Sequence, residues 1–382
     1  MKIAFIHDEK KIGTGAHYIN DLMSTKLRSK GIEVKNFYPK LKLKNSPAHL
    51  RGLANILYFY SLLEHKAEIL RNSIIQGTTY TPLPFMAFST PIVSHFGSTT
   101  RGFLKATPRA NAIDSDTRKI WYDLRTHNVI SELNIKTRRP MRDIAEIEKY
   151  VAKRVNGVIA TSENVKKELL EMGIASHKIS IIHNAIENYW FEQPYPPEIT
   201  KNPSLVFLGR LGRDAFTLKL KGFDRLIHYF KQFPNTQKTT VCISNNKKIL
   251  QWMRTSVENH TLYANVKKDN IPNILAPLRG SILFIPSRYE GFSLSLVEGM
   301  SQSLIPIIYP VGVAEEIIQN GVNGYIVRSQ KEAVEITNTI LQDDDLRLKL
   351  SLAARNTSIN FTSDALVEKL VLLYKKILWE IG

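Results

Sequence analysis

The chain has 382 residues, a net charge of +17 and 43% hydrophobic residues. This length exceeds one ordinary hydrophobic core, and the composition is that of a globular protein, which excludes a disordered or fibrous chain. The single cysteine, Cys242, excludes an internal disulfide and favours a reducing compartment. The charge favours anionic partners and is concentrated in residues 1–190, which hold 29 Lys and Arg against 17 Asp and Glu.

Short apolar runs alternate along the chain with longer amphipathic stretches. The runs KIAFI, EVKNFY, SIIQG, PIVSHF, GVIATS and KISIIH predict strands in the first half. The runs SLVFLGR, TTVCIS, HTLYAN, SILFIPS, IPIIY and GYIV predict strands in the second half. Amphipathic stretches between them, such as AHYINDLMSTKLRSKG and SENVKKELLEMG, predict helices. This repetition predicts an α/β protein with two doubly wound, Rossmann-like domains, each built on a parallel sheet.

A proline-rich stretch without periodicity separates the two series of strands. It is NYWFEQPYPPEITKNP, residues 188–203, and its four prolines predict a linker or hinge. We therefore expect a first domain over residues 1–187 and a second over 204–364, with a last helix, about 365–382, packing back on the first domain. Ligands of doubly wound sheets bind at the carboxyl ends of the strands, so two such domains facing each other predict a ligand cleft between them.

Two features of the sequence, its N-terminus and a basic segment, indicate where in the cell the protein is expected. MKIAFIHDEKK has only four consecutive apolar residues, so it predicts a first strand and not a signal peptide. No apolar stretch reaches the roughly 20 residues of a membrane span. We expect a cytoplasmic protein, with peripheral attachment to the inner face of a membrane left open. The segment Arg101–Arg154 is either an ordinary solvated basic face or a patch that docks on anionic lipid or an anionic acceptor.

The stretch from Ser281 to Gly324 combines a buried strand, an acidic turn and a helix. Glu290 lies on the turn, and Glu298 follows after seven intervening residues. A serine at 293 or 295 is predicted to cap the helix, whose first N–H groups form a site suited to a diphosphate. The two glutamates either hold hydroxyls at opposite ends of a ligand or are solvated residues near a helix start.

This stretch resembles the family-4 retaining glycosyltransferases of the GT-B fold, which carry Glu-x7-Glu after a Pro-Ser strand end. The resemblance continues through Pro306 and the segment from Glu316 to Gly324. Upstream, LVFLGRLGRDAFTLKLKGFDRLI resembles the family element that supplies an arginine and a lysine. The segment VIATSENVKKELLEMGIASHKISIIHNAIENYWF resembles the element that closes the first domain, and IGTGAHYINDL resembles the glycine-rich loop after the first strand.

The resemblance implies a GT-B architecture with a donor site in the second domain. Glu290 would hold hydroxyls of the donor sugar, Glu298 the ribose, and Arg210 with Lys221 the diphosphate. Lys219 is an alternative to Lys221, which is preferred because a glycine follows it. The implied donor-binding residues are Gly13, Gly15, Arg210, Lys221, Glu290, Gly291, Phe292, Ser293, Leu294 and Glu298, and the implied catalytic residues are Glu290, His95, Arg210 and Lys221.

Three positions depart from the family pattern. His95 comes two residues earlier than the histidine expected near the reacting sugar, and Gly97 occupies its usual place, so His95 either faces the ligand or belongs to the core. Ser293 replaces a glycine that usually follows the Glu-Gly-Phe turn. The segment IYPVGVAEE lacks the common glycine pair before its glutamates.

The activity implied is a metal-independent, retaining, hexosyl-type glycosyltransferase. Its donor would be a nucleotide-diphosphate sugar, UDP- or GDP-linked, and its acceptor a glycan or lipid-linked glycan in surface polysaccharide or glycolipid synthesis. No cofactor, metal ion or nucleic acid is expected as a partner, whereas an anionic membrane surface is a further candidate. The alternatives are a nucleic-acid-binding protein, which rests on charge alone, and an inert nucleotide-sugar-binding protein of the same fold.

Overall fold

The computed structural model describes residues 1–7, 16–40, 56–134, 138–192 and 198–381, with side chains from Tyr18 onward in the second range. Within these ranges the strands form two six-stranded sheets, and every strand pairing is parallel. Each of the twelve apolar runs forms one strand. The predicted α/β class and GT-B architecture are confirmed.

The first sheet has the strand order β2-β1-β3-β4-β5-β6. Its strands are β1 (Lys2–Ile6), β2 (Glu33–Phe37), β3 (Ile74–Thr78), β4 (Ile92–Phe96), β5 (Gly157–Ala160) and β6 (Ile179–Ile181). The second sheet has the order β12-β11-β10-β7-β8-β9. Its strands are β7 (Leu205–Arg210), β8 (Lys238–Ile243), β9 (His260–Ala264), β10 (Ile282–Ile285), β11 (Ile305–Ile308) and β12 (Tyr325–Ile326).

Helices connect the strands and cover the sheets. They are α1 (Ala16–Ser29), α2 (Lys66–Ile69), α3 (Thr100–Ala106), α4 (Ser115–Thr126), α5 (Arg138–Arg154), α6 (Glu163–Glu171), α7 (Ala215–Leu220), α8 (Phe223–Lys231), α9 (Lys247–Ser256), α10 (Ile271–Leu275), α11 (Leu294–Ser301), α12 (Ala314–Ile317), α13 (Gln330–Leu341), α14 (Asp344–Ser358) and α15 (Ser363–Ile381). Among the described helices, none is both long and apolar enough to cross a bilayer.

Each sheet has one place where the strand order reverses. In the second sheet, β7 is followed on one side by β8 and β9 and on the other by β10, β11 and β12. Ligands of open parallel sheets bind at such a reversal, beyond the carboxyl ends of the strands. In this sheet the reversal lies between the end of β7, at Arg210, and the end of β10, which leads into the turn carrying Glu290.

The chain divides into two compact units, whose bounds differ from those of the predicted domains. The first unit comprises residues 1–104, 136–187 and 361–382, and the second comprises 105–135 and 188–360. The last helix, α15, lies in the first unit, where the buried Tyr374 hydroxyl donates to the Gln76 side-chain oxygen of β3. The start of the predicted linker belongs to the second unit, in which Trp190 is fully buried. Residues 193–197 of that linker lie outside the described ranges.

The segment 105–134 was predicted to lie in the first domain but folds on the second unit. Its helix α4 packs against α8 and buries Trp121 completely. The Trp252 indole N–H donates to Asp123 at 2.8 Å, and the Asn246 amide donates to the Val129 carbonyl oxygen at 3.1 Å. The difference has a simple cause: an amphipathic helix specifies that one of its faces is buried, but not which sheet or helix covers that face.

Candidate active site

The turn after β10 is held against the end of α7. The Arg288 main-chain N–H donates to the Leu220 carbonyl oxygen at 2.8 Å, and the Arg288 guanidinium donates to the Lys219 carbonyl oxygen at 3.1 Å. Gly222 has φ +64°, and a Cβ there would overlap the Pro286 carbonyl oxygen. Only glycine satisfies both the left-handed backbone and the close approach, which explains why a glycine follows the lysine of this element.

Lys221 and Glu290 form the centre of the site. The Lys221 Nζ donates to Glu290 Oε1 at 2.6 Å, and the Ser287 hydroxyl donates to the same oxygen at 2.7 Å. The side chains of Lys221 and Glu290 are 28% and 12% exposed, so the pair is partly buried but accessible. The structure thus brings two of the predicted residues into direct contact at the carboxyl end of β10.

Lys219, the alternative phosphate lysine, has a different role. Its side chain is fully buried, and its Nζ donates to the Pro108 carbonyl oxygen at 2.9 Å and the Leu133 carbonyl oxygen at 2.7 Å. The ammonium also lies 5.5 Å from the centroid of the Trp121 ring. Lys219 therefore fastens the segment 105–134 to the second unit, and Lys221 is the lysine that the site presents.

A second charged pair fixes the same turn. Asp224, at the start of α8, is fully buried and accepts two hydrogen bonds from the Arg288 guanidinium, both at 2.6 Å. Bidentate pairing of this kind fixes both the position and the orientation of the arginine. The pair holds the turn that carries Glu290 without contributing a free charge to it.

Helix α11 begins in a backbone conformation that normally belongs to glycine. Ser293 has φ 84° and ψ 74°, and its side chain makes no capping hydrogen bond. Ser293 stands at the N-cap position, but its hydroxyl accepts no main-chain N–H of the helix and lies 3.5 Å from the Ser295 hydroxyl. The prediction that the Ser293 side chain caps the helix is therefore wrong. The left-handed conformation is the one that the family's usual glycine adopts without strain.

Glu298 lies on α11 and is held by a lysine. Its side chain is 9% exposed, and its Oε1 lies 3.1 Å from the Lys268 Nζ. Lys268 follows β9 and was not predicted as a site residue. Both glutamates of the Glu-x7-Glu pattern are thus paired with lysines from other elements. Glu290 pairs with Lys221, which follows α7, and Glu298 pairs with Lys268 in the turn after β9.

The remaining predicted residues are placed as follows. Arg210 ends β7 with its side chain exposed, and no hydrogen bond or ion pair joins its guanidinium to the residues that the structure describes. Gly291 and Phe292 are buried in the turn before α11, and Leu294 begins that helix half-buried. Gly13 and Gly15 lie outside the described residues.

His95 occupies a buried strand position in the first unit. It belongs to β4, its side chain is 1% exposed, and burial lowers the pKa of its imidazole to about 4. The Asn184 amide opposes this shift, although neither ring nitrogen meets hydrogen-bond geometry with a described residue. The imidazole is therefore neutral at pH 7.

A buried carboxyl group lies just beyond β4. Glu148 of α5 accepts hydrogen bonds from the Thr100 N–H at 2.8 Å and the Thr100 hydroxyl at 2.7 Å, at the start of α3. Burial raises the pKa of Glu148 to about 7, the Thr100 hydrogen bonds oppose the shift, and Glu168 adds a smaller upward effect. Glu168 accepts a hydrogen bond from the Thr99 hydroxyl at 2.5 Å.

Two family models match the chain, one over each half. The model of glycosyl transferases group 1 matches residues 191–357, and that of glycosyltransferase family 4 matches residues 23–188. The chain belongs to this glycosyltransferase family. Both glutamates and both candidate cations, Arg210 and Lys221, fall within the first match.

Curated relatives are similar to this chain over about half of its length. An "uncharacterized 41.2 kDa protein in cps region" of Klebsiella pneumoniae is 26% identical over 202 residues, which is 50% of this chain and 54% of that protein. The chain spans about half the length of the curated relatives it matches.

Two solved structures share the fold. Sucrose-phosphate synthase from Thermosynechococcus elongatus is similar with a TM-score of 0.75, 15% identity and 99% coverage of both chains. The Anabaena protein HepE in complex with UDP-glucose is similar with a TM-score of 0.68, 17% identity and coverage of 98% and 100%. Identities this low establish the common fold alone.

In this family member, two residues of the site were missed by sequence reasoning. Ser287 is the serine of the Pro-Ser strand end, so the motif contained it without assigning it a contact. Lys268 stands in a polar turn after β9, and no pattern marks it. Within the described ranges, no three His, Cys, Asp or Glu side chains converge as metal ligands.

Proposed function

We propose that this protein is a retaining glycosyltransferase that moves a sugar from a nucleotide-diphosphate donor to a glycan acceptor. The observation that carries the proposal is the Lys221–Glu290 pair at the carboxyl end of β10, with Glu298 on the helix that follows. The pair presents a cation and a hydroxyl-binding carboxylate side by side, at the reversal in strand order where parallel sheets bind ligands.

The two members of the pair suit two parts of the donor. Breaking the bond from the sugar carbon to the phosphate leaves negative charge on the departing nucleoside diphosphate. The ammonium of Lys221, with the exposed guanidinium of Arg210, would stabilise that charge without a metal ion. Glu290 would accept hydrogen bonds from the sugar hydroxyls, and Glu298 from those of the ribose.

The anomeric configuration of the sugar would be retained because the acceptor oxygen attacks from the same face of the sugar that the phosphate leaves. A retaining mechanism with a covalent intermediate needs two carboxyl groups roughly 5 Å apart. Here each glutamate is engaged by its own lysine, Lys221 or Lys268, which suits binding more than nucleophilic attack. The acceptor oxygen would bond to the sugar carbon as its proton passes to the departing phosphate oxygen.

The donor and the acceptor are proposed by chemical class. UDP or GDP is the expected nucleotide, with UDP first because the similar HepE structure contains UDP-glucose. A glycan or lipid-linked acceptor in surface polysaccharide or glycolipid synthesis is consistent with a relative in a cps region. The proposed location is the cytoplasm, at the inner face of a membrane.

Membrane attachment would use the first unit. Helix α5 exposes Arg139, Arg142, Lys153 and Arg154. Helix α15 exposes Leu372 at 66% and Trp379 at 84%, next to the exposed Lys375 and Lys376. Cations beside an exposed indole suit an anionic lipid surface. Co-sedimentation with anionic vesicles should fall with salt and in Trp379→Ala, and no salt-sensitive binding would reject attachment.

The proposed function is tested by nucleotide binding and turnover. UDP, GDP and ADP, each with and without a sugar, are compared by thermal shift on wild type and Glu298→Ala. A nucleotide at about 100 times its dissociation constant should stabilise the protein by roughly 2.7 kcal/mol. A shift with one nucleotide family that Glu298→Ala loses supports the donor site, and no shift with any nucleotide rejects it. The anomeric configuration of the product, read by NMR, tests retention.

A further inference from the structure

A large cavity lies within the second unit, beyond the carboxyl ends of β10, β11 and β12. Its volume is about 1210 Å³. The strand ends contribute Ser287, Tyr309 and Arg328, and α8 contributes Arg225. The opposite wall is formed by the segment 105–117, which folds on this unit although it precedes the linker in sequence. A volume of several hundred to about a thousand Å³ is typical of small-molecule sites.

The cavity adjoins the proposed donor site but is separate from it. Neither Lys221, Glu290 nor Glu298 is among the described residues that line it. The connection is Ser287, which lines the cavity and donates its hydroxyl hydrogen to Glu290. A ligand in the cavity would therefore lie one residue away from the carboxylate assigned to the donor sugar.

One side of the cavity is cationic. This side carries Arg225, Arg288, Arg328 and Lys331, and Lys331 lies 3.8 Å from Glu335, which also lines the cavity. Lys105 belongs to the opposite wall. Arg288 is neutralised by the buried Asp224, and Arg328 lies 3.6 Å from the exposed Glu315.

Arg225 lines the cavity and forms no ion pair with a carboxylate of the described residues, although the charge of Asp224 acts on it. Its guanidinium donates to the Pro286 carbonyl oxygen at 3.3 Å and lies 4.0 Å from the centroid of the Tyr309 ring. No acidic side chain in the described part of the chain lies within ion-pair distance of it. Burial, and then the neighbouring charge of Arg288, lower the pKa of Arg225, so an anion beside it would relieve an unfavourable environment.

The opposite wall carries carboxylates. Asp114 and Asp116 line the cavity at the start of α4, where Asp114 accepts the Asp116 N–H at 2.9 Å. Carboxylates accept hydrogen bonds from hydroxyl groups and repel anions. A ligand that matches both walls has an anionic group at one end and hydroxyls at the other.

We propose that this cavity binds the acceptor, and that the acceptor is a sugar bearing an anionic group, either a carboxylate or a phosphate. The anionic group contacts Arg225 and Arg328, and the sugar hydroxyls face Asp114 and Asp116. The role as acceptor rests on the proposed function, whereas the binding of an anionic sugar does not. Because both walls belong to one unit, the site is complete within that unit.

The test is titration calorimetry of the full chain with glucuronic acid, glucose 6-phosphate and glucose. At least one anionic sugar should bind at least tenfold more tightly than glucose, because a hydrogen bond between a guanidinium and an anion is stronger than one to a neutral hydroxyl. The first two probes distinguish a carboxylate from a phosphate ligand. Saturating UDP should leave this affinity unchanged, because the two sites are separate.

Two variants and one control identify the cavity. Arg225→Gln should weaken binding of the anionic sugar at least tenfold, and the exposed Arg328→Gln should weaken it about two- to fivefold. Arg254→Gln, an exposed arginine of α9 outside the cavity, should bind as wild type does. The Arg328 variant keeps the test decisive if Arg225→Gln fails to fold.

Several results would overturn the proposal. They are failure of both anionic sugars to bind, equal affinity for glucose, displacement by UDP, and wild-type binding by the folded arginine variants. A separate UDP titration of the same protein reports on the proposed function. Failure there with intact binding of the anionic sugar would reject the transfer reaction and leave the cavity site standing.

Discussion

The carboxyl ends of β10 and β4 are comparable places in two parallel sheets, yet their chemistry differs. After β10, Glu290 is partly exposed and shares its oxygen with Lys221 and Ser287. In β4, His95 is closed off from solvent and neutral. The buried Glu148 beyond it serves Thr100 at the start of α3. The first place has an accessible charged pair, and the second has polar groups that are enclosed by the fold.

This difference shows that residues at comparable strand ends can differ widely in exposure. Lys219 and Lys221, which are two residues apart, differ in the same way. One ammonium is enclosed by carbonyl oxygens of the segment 105–134, and the other reaches the turn after β10. Substitutions can test this contrast between accessible charged groups and enclosed polar groups.

The largest effect is expected from Lys221→Ala. Removing a cation that stabilises a departing phosphate should lower kcat by about 10²–10³ and leave the fold intact. The measurement is the initial rate of nucleotide release once the donor is identified. Lys231→Ala, an exposed lysine of α8, is the matched control. A loss of less than fivefold would remove Lys221 from the catalytic group.

Lys219→Met should act on stability. It leaves the partly buried Pro108 and Leu133 carbonyl oxygens without their donor, at a cost of about 2–5 kcal/mol. Chemical denaturation measures the free energy of unfolding, with Lys247→Met as an exposed control. If the variant is as stable as wild type but fails to bind nucleotide, the two lysines have been assigned the wrong way round.

Glu148→Gln should change how stability depends on pH. The folded protein holds the Glu148 proton more tightly than the unfolded chain, because the pKa is raised from 4.5 to about 7. Its contribution is therefore full below pH 4.5 and is lost as the pH rises to about 7, a difference of about 3 kcal/mol. The free energy of unfolding of the variant, relative to wild type, should rise over this window. A pH-independent difference would contradict the prediction.

The contribution of His95 to stability should depend on pH with the opposite sign. Its folded-state pKa is lowered from 6.5 to about 4, so its contribution to stability is full above pH 6.5 and is lost as the pH falls. At pH 5 the loss should be about 2 kcal/mol. NMR of labelled histidines should find this ring neutral at pH 5.5. Protonation of the ring near pH 6.5 would contradict the prediction, because it would place the ring in contact with solvent.

The smallest effect is expected from Ser293→Gly. Glycine adopts a φ of 84° without the cost that a side chain incurs, so the variant should gain about 0.5–1 kcal/mol. The midpoint of thermal unfolding measures the gain. Ser295→Gly, inside the first turn of α11, should lose stability by a similar amount. Equal effects at the two positions would show that the backbone at Ser293 is unstrained.

Much of the fold was predictable because buried parallel strands are short apolar runs with β-branched residues. β3, β4, β5 and β10 are buried along their whole length, and each appears in the sequence as such a run. A fully buried strand has no alternation of apolar and polar residues. Its sequence therefore does not show which side of the sheet each side chain faces. The sequence therefore left open whether His95 faces a ligand or the core.

The candidate site was predictable where a motif fixed the spacing. Glu290 and Glu298 stand on one turn and the helix that follows it, so their spacing in the sequence places them at one sheet edge. Lys221 is 69 residues away from Glu290 and was assigned through the resemblance. Lys268 comes from a distant turn and could not be found this way. Glu148 had a signal that was overlooked, because it lies three residues before the buried Val151 and thus on the core face of α5.

The placement of the segment 105–134 also determines which pieces of this gene can be exchanged. A fragment that begins at the linker and contains the rest of the second unit would lack α4. It would also lack the carbonyl partners of Lys219 and the carboxylate that accepts the Trp252 N–H. Chimaeras with other family members should therefore transfer this segment together with residues 188–360. In this protein the unit of recombination is discontinuous in sequence, and a single crossover near the linker would separate parts that fold together.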